Sequence, residues 1–236
     1  MGSRPAPLER AVAEFGAGAL WAIAQASALA VPAALGVHDI WAVPPLVIAM
    51  VVFQLYLYAD GAPSAAVQLG VFVGKVHPLS VLEAARMIIA TMFGSAVGAV
   101  FIRDTLQWLS IPVVGMRPPV TFFPEKGSEI IIATEFVTSL LICALALLLC
   151  PKNMIAGLAG LFIVPVPAAL IGVPGIDPAW SFGRAFAAKD FYNNHIYLLA
   201  PFAGAIAFGL YSRYSNSSKK AAKGKGRAKT PKKKKN

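Results

Sequence analysis

Long apolar runs alternate with short polar breaks along most of this chain. Runs of membrane-spanning length lie at about residues 11–36, 40–58, 83–105, 129–149, 154–171 and 194–211. A helix needs about 20 predominantly apolar residues to cross the hydrocarbon core of a bilayer. The pattern therefore predicts an all-α polytopic membrane protein with six transmembrane helices.

Two shorter apolar pieces lie between chain breakers. In the second piece Asp177 can cap a helix and Pro178 suits its first position, so the pattern predicts a helix to Ala188. Its length, about 16 Å, is roughly half the hydrocarbon core. Ser64 can cap a similar piece that ends at Gly74. Such half-helices enter a membrane without crossing it, which predicts a pore or a binding site beside them.

The two halves of the chain repeat one pattern. A glutamate stands near the start of each half, at Glu14 and Glu135, and a glycine follows each predicted cap, at Gly70 and Gly183. Because each half has an odd number of spans, the halves enter from opposite sides and form an inverted repeat. The half-helices are then expected to meet near the midplane with facing N-termini, whose positive dipole ends oppose the passage of cations.

The composition supports a membrane protein, because 57% of the 236 residues are hydrophobic and only 14% are charged. The net charge of +10 comes from the C-terminal end, since residues 213–236 contain eleven Lys or Arg and no acid. We predict a disordered tail here, cytosolic by the positive-inside rule and able to contact anionic lipids. Nucleic-acid binding is disfavoured, because no aromatic or folded basic surface accompanies the lysines.

These boundaries divide the chain into three parts. Residues 1–10 form an N-terminal cytosolic segment, residues 11–212 a channel-like domain, and residues 213–236 the tail. The domain consists of repeats at about 11–106 and 129–212, joined by a loop at 107–128. Six spans place both termini on the same side of the membrane. The basic tail predicts that this side is the cytosolic one.

Metal and catalytic chemistry find little support in the sequence. Cys143 and Cys150 lie about 10 Å apart along one helix, too far for a disulfide. His38, His77 and His195 lie in different segments, so no metal-ligand cluster is predicted. With no pairing of a nucleophile and a base in any span, we expect neither an enzyme nor a bound cofactor.

Three motifs carry a resemblance to a known family. "GIDPAWSFGRAF", followed by "HIYLLAPFAGAI", is similar to the second signature and the start of the sixth span of aquaporins, the major intrinsic protein family. "GAPSAAVQLG" resembles the first signature more weakly. The basic tail and this unorthodox first signature further resemble the small basic intrinsic proteins. The resemblance implies six spans with two half-helices, a homotetramer with one pore per chain, and passive movement of water or a small neutral solute.

The resemblance also assigns a pore centre, where this chain departs from the family. Ser64 and Asp177 stand where the family has two asparagines. Both can cap helices, but Ser has one donor and an ionised Asp has none. An ionised Asp177 lowers the cation barrier of the helix dipoles, whereas a neutral Asp177 leaves it in place. The six implied residues of the pore centre are Ser64, Ala65, Ala66, Asp177, Pro178 and Ala179.

A selectivity constriction is implied beside the second signature. Trp180 stands where the family has an arginine, and an indole there either plugs the pore or gates it by dewetting. Arg184 lies four residues later on the same helix face, where it can restore part of the positive charge. Pro174 belongs to the constriction by position, and Pro165 and Pro44 are assigned to its other walls from spacing.

Other residues are expected to have structural roles. In the family, the glutamates corresponding to Glu14 and Glu135 accept hydrogen bonds from the re-entrant loops. His195 is interpreted as an interfacial or helix-start residue rather than a ligand. Gly94 and Gly98 form a GxxxG motif, which predicts close packing of two spans.

Three functions remain open at this stage. The first is a channel for water or small neutral solutes in an intracellular membrane. The others are a non-conducting assembly protein with the same fold, and a cation-permeable pore that uses Asp177. Lys233 and Lys234 resemble a dilysine retrieval signal, which implies coat-protein contact and the endoplasmic reticulum; a chance match within the lysine run is the alternative.

Overall fold

The computed structural model describes residues 7–34, 64–76, 78–111, 127–149 and 177–227, with side chains described to residue 27 in the first range and to 215 in the last. The predicted spans at 40–58 and 154–171 lie outside these residues. So do several residues singled out above: His38, Pro44, His77, Cys150, Pro165, Pro174, Lys233 and Lys234.

The described residues form helices and no strands. The helices are α1 (Pro7–Ala34), α2 (Ala65–Val73), α3 (Val81–Trp108), α4 (Gly127–Ala144), α5 (Pro178–Ala188) and α6 (Asn194–Arg227), and a π-helical segment, Leu145–Leu149, continues α4. Among them, Val81–Trp108, Gly127–Leu149 and Asn194–Ser215 are long and apolar enough to cross a membrane. The elements agree with the predicted first, third, fourth and sixth spans and both half-helices.

Helices α1 and α3 pack closely through the predicted GxxxG motif. Any side chain at Gly94 would overlap the Phe15 backbone, and one at Gly98 would overlap the backbone of Ala19. The absence of a Cβ at these positions therefore allows the two backbones to approach. The prediction of close packing at this motif is confirmed.

Helices α4 and α6 form the matching pair in the second half. A side chain at Gly204 would overlap the Phe136 backbone, which again indicates close approach. The Ser139 hydroxyl donates a hydrogen bond of 2.8 Å to the carbonyl of Pro201, a residue inside α6. Each half thus joins its first and last spans through small residues.

Both half-helices begin at the predicted caps. Ser64 has an extended backbone, and its side chain accepts from the Val67 amide at 3.4 Å. Asp177 is also extended and accepts from the Ala179 amide at 3.2 Å, with Pro178 at the first helical position. These side-chain acceptors satisfy amides that have no partner within the helix. The predicted bounds of 178–188 match α5.

The two half-helices also end in the same way. Lys75 and Lys189 both adopt the left-handed conformation, with φ of 50° and 55°. In each case the next amide donates to a carbonyl five residues back, at 3.1 Å after Lys75 and at 3.0 Å after Lys189. This is the Schellman motif, which usually has glycine at the left-handed position. The repeat therefore extends to both ends of the half-helices.

Among the described helices, each half-helix packs most extensively against the last span of the opposite half. Helix α2 packs on α6 and also on α3, whereas α5 packs chiefly on α3 and then on α6. The repeated glycines face these contacts, because Gly70 lies against Cys143 and Ala205, and Gly183 lies against Ser95. The two halves of the chain are therefore interlocked.

Helix α6 extends to Arg227, beyond the predicted domain boundary at residue 212. The segment predicted as a disordered tail therefore starts as helix, and residues 228–236 lie outside the described part. No proline follows Pro201 within this helix, and Ala and Lys are good helix formers. Low hydrophobicity excluded this segment from the predicted span, but it does not prevent a helix from continuing.

Candidate functional site

The N-terminal ends of α2 and α5 meet through their capping side chains. The Ser64 hydroxyl donates to Asp177 Oδ1 at 3.4 Å, although 113 residues separate the two in sequence. The same Oδ1 accepts from the Ala179 amide, and the Ala65 amide also interacts with this carboxyl group. The predicted juxtaposition of the two half-helix tips is therefore present.

This meeting point is enclosed by small side chains. Asp177 is 6% exposed, and Ala65, Ala66, Pro178 and Ala179 are buried. Asp177 Oδ2 is buried too, and it has no hydrogen-bond partner among the residues that the structure describes. An acceptor in this position is available to a small molecule that carries a hydrogen-bond donor.

A buried polar triad holds α2 against two spans. Gln68 Nε2 donates to Glu14 Oε2 at 2.6 Å and to Thr91 Oγ1 at 2.9 Å. Glu14 thus accepts a hydrogen bond from the first half-helix, here from a side chain. Sequence reasoning missed Gln68 and Thr91, although a lone amide within an apolar half-helix was a signal for the former.

A second buried polar cluster joins α5 to α4 and α6. The Arg184 guanidinium interacts electrostatically with Glu135 and Tyr197. It also lies over the Trp180 ring, with Cζ 5.3 Å from the ring centroid. Glu135 is 1% exposed and Arg184 is 3% exposed. The positive charge of Arg184 is therefore balanced by a carboxylate, and Tyr197 is a member that the sequence did not indicate.

Trp180 is fixed in an apolar cluster. It is 3% exposed and belongs to a group contributed mainly by α1 and α3, namely Ala22, Ala26, Ala99, Ile102, Leu106 and Ala187. The indole therefore packs between a half-helix and two spans, next to the caps at the meeting point.

The C-terminal end of α5 is also anchored to a span. The Arg103 guanidinium on α3 donates to the Ala187 carbonyl and forms a salt bridge of 2.6 Å with Asp104. A cation near the last turn of a helix interacts favourably with the helix dipole. Both ends of α5 are thus held, and no sequence pattern predicts the contact of Arg103 with Ala187.

Comparison with known proteins decides the family. The family model described as "MIP: Major intrinsic protein" matches residues 3–212. The chain belongs to the major intrinsic protein family. As a member, it is an integral membrane channel for water or small solutes, and members of the family are channels rather than enzymes.

The fold of this major intrinsic protein is supported independently by a solved structure. The X-ray structure of the aquaglyceroporin from Plasmodium falciparum matches with a TM-score of 0.66 at 16% sequence identity. The alignment covers 88% of this chain and 96% of the other. The comparison with curated protein sequences gives no match. The predicted aquaporin-like fold is therefore confirmed.

Two further residues named above are His195 and Cys143. His195 is exposed at the second position of α6, which agrees with its interpretation as a helix-start residue. Cys143 is buried with a free thiol. In the described part of the chain, no group of three His, Cys, Asp or Glu side chains is placed to hold a metal ion.

Proposed function

We propose that this major intrinsic protein conducts water or a small neutral solute through a pore centred between the tips of α2 and α5. The observation that carries this proposal is the 3.4 Å contact between Ser64 Oγ and Asp177 Oδ1, which joins two half-helix N-termini from opposite halves. The short side chains around it, Ala65, Ala66 and Ala179, leave backbone and capping groups as the polar partners of a solute.

Few polar groups are needed for this activity. A channel lowers the barrier to permeation by replacing part of the solute's hydration with groups of the protein. Ser64 offers a hydroxyl and Asp177 a carboxyl oxygen, so both donors and acceptors of a molecule such as water or glycerol find partners.

Trp180 forms a wall of the constriction in this proposal, together with Pro174, Pro165 and Pro44. The packing of its ring against α1 and α3 favours a fixed wall over a swinging gate. Arg184 contributes to the same region, but its electrostatic interaction with Glu135 compensates its charge. A constriction without an uncompensated charge suits neutral solutes.

We further propose an intracellular location and a homotetrameric assembly, with both termini cytosolic and the tail at residues 213–236 contacting anionic lipids or coat proteins. Lys233 and Lys234 are the basis for placing the protein in the endoplasmic reticulum. Exchanging both for alanine should shift a fluorescent fusion towards the cell surface. An unchanged distribution would oppose the retrieval signal.

Purified protein in liposomes tests the proposed conduction. Vesicles that contain the protein should shrink in hyperosmotic solution faster than empty vesicles, with water or glycerol as the permeant. Ala179→Leu at the tip of α5 should remove this increase, whereas Ala188→Leu at the other end of the same helix should retain it. Shrinkage no faster than that of empty vesicles for either permeant would favour a non-conducting protein.

A further inference from the structure

The carboxyl group of Asp177 lies where the N-terminal ends of the two half-helices meet. We infer that it relays protons through this channel, so that proteoliposomes pass protons in addition to the neutral solute. The inference depends on the proposed channel function, because the relay needs water on both sides of the meeting point.

One oxygen of Asp177 is available for this chemistry. Oδ1 receives the Ser64 hydroxyl and the Ala179 amide, whereas Oδ2 is buried with no hydrogen-bond partner in the described residues. A buried acceptor without a donor is unfavourable, so it binds a donor that reaches it. In a water-filled passage that donor is the O–H of a permeating water or a hydronium ion.

The meeting point places a carboxyl group between two half-helix N-termini. Each N-terminus carries a partial charge of roughly +0.5, and such ends exclude protons and cations from a pore. An ionised Asp177 offsets both ends. Among the described residues, the groups that interact with it are the Ser64 hydroxyl, the Ala65 and Ala179 amides and the Cys143 thiol, and none of these is a cation.

Arg184 does not replace the missing positive charge. It lies two helical turns from Asp177, about 10 Å along the axis of α5. Its guanidinium interacts with Glu135 and Tyr197 instead. Within the described part of the chain, the Asp177 carboxylate therefore faces helix dipoles and no cationic side chain.

The orientation of water follows from the acceptor. A carboxylate oxygen accepts only, so neighbouring waters point their hydrogens towards the centre. A hydronium on one side then transfers its proton to Oδ2: an O–H bond of the hydronium breaks, an Oδ2–H bond forms, and water is left. The Oδ2–H bond then breaks as the proton moves to a water on the other side, which becomes a hydronium ion, and the carboxylate is restored. Intramembrane carboxyl groups form proton relays of this kind.

The same geometry does not suit a metal cation. A potassium ion exchanges its hydration shell for a ring of several oxygens. Among the described side chains, the meeting point offers only the Ser64 hydroxyl and the Asp177 carboxyl, surrounded by Ala65, Ala66 and Ala179. A proton needs a single acceptor, because it moves along hydrogen bonds.

A pH-sensitive dye trapped in proteoliposomes measures the relay. After a pH step, with valinomycin and potassium present to prevent a membrane potential, the wild-type vesicles should equilibrate several-fold faster than empty ones. Asp177→Asn and Asp177→Ser should return the rate to that of empty vesicles. Both replacements keep a residue that can cap α5. Size-exclusion chromatography and a measurement of helix content show whether each variant folds. The control Asp190→Asn, an exposed carboxylate beyond the other end of α5, should retain the wild-type rate.

The outcomes separate the two proposals. Wild-type vesicles that pass neither water nor glycerol would contradict the channel function itself. Vesicles that pass water but equilibrate pH no faster than empty ones would overturn the relay alone. Folded Asp177 variants that keep the wild-type proton rate would also overturn it. Potassium flux comparable to proton flux, measured without valinomycin, would indicate an open cation pore instead.

Discussion

Gln68 Nε2 lies 2.6 Å from Glu14 Oε2, and both side chains are buried. The same nitrogen donates to Thr91, so one amide joins α2 to both α1 and α3. The first half-helix is therefore anchored by buried hydrogen bonds as well as by apolar packing.

Gln68→Leu should lower the free energy of unfolding by about 2–3 kcal/mol, because the buried Glu14 carboxyl loses its donor. Reversible unfolding in mixed micelles, followed by circular dichroism, measures the change. Gln107→Leu, an exposed glutamine on α3, serves as the control and should stay within about 0.5 kcal/mol of wild type. Equal effects of the two variants would contradict the anchoring role.

Gly98→Ala should destabilise the protein by about 1–3 kcal/mol, because the added methyl group overlaps the Ala19 backbone in the α1–α3 contact. Gly16→Ala is the matched control, since no atom lies within 4 Å of the position that its Cβ would take. Thermal unfolding in detergent compares the two. A stabilised Gly98→Ala variant would show that the helices are not in close contact there.

Lys189→Gly should stabilise the protein by about 1 kcal/mol, because a left-handed backbone is strained for any residue with a Cβ. Lys75→Gly should give a similar gain, since it has the same conformation at the end of α2. The alanine variants at both positions separate this effect from loss of charge, and they should show no gain. If alanine stabilised as much as glycine, backbone strain would not be the cause.

Arg184→Met should lower the free energy of unfolding by about 3–5 kcal/mol, the cost of leaving the buried Glu135 carboxylate without its cation. Arg86→Met, at an exposed position of α3, is the control and should have little effect. The double variant Arg184→Met with Glu135→Leu should recover part of the loss, because neither charge is then buried alone. A double variant no more stable than Arg184→Met would contradict this coupling.

The sequence predicts the half-helices of this fold well because their signals are local. Asp177, Pro178 and the following apolar spacing define α5 within a few residues of chain, and Ser64 does the same for α2. The glycine motif at Gly94 and Gly98 likewise predicts a close helix contact, because its requirement for small residues is independent of the partner.

The contacts around the candidate site were less accessible from sequence, because they depend on which helices become neighbours. Gln68 and Glu14 are 54 residues apart in the sequence, and no local pattern around either residue predicts their contact. The sequence suggests Arg184 as a charge for the constriction, but in the structure its guanidinium interacts electrostatically with Glu135 on another helix. The extension of α6 was missed for a different reason, since hydropathy marks where a span ends and not where its helix ends.

The interlocked seating of α2 and α5 has a consequence for biosynthesis. Helix α2 packs mainly against α6, which the ribosome makes on the order of ten seconds later at ordinary elongation rates. Until then α2 lacks the described helix against which it packs most extensively. The sixth span therefore completes the packing of the first re-entrant segment, and we expect a chain truncated before Asn194 to hold α2 only through the earlier helices, with the Gln68 hydrogen bonds among those contacts.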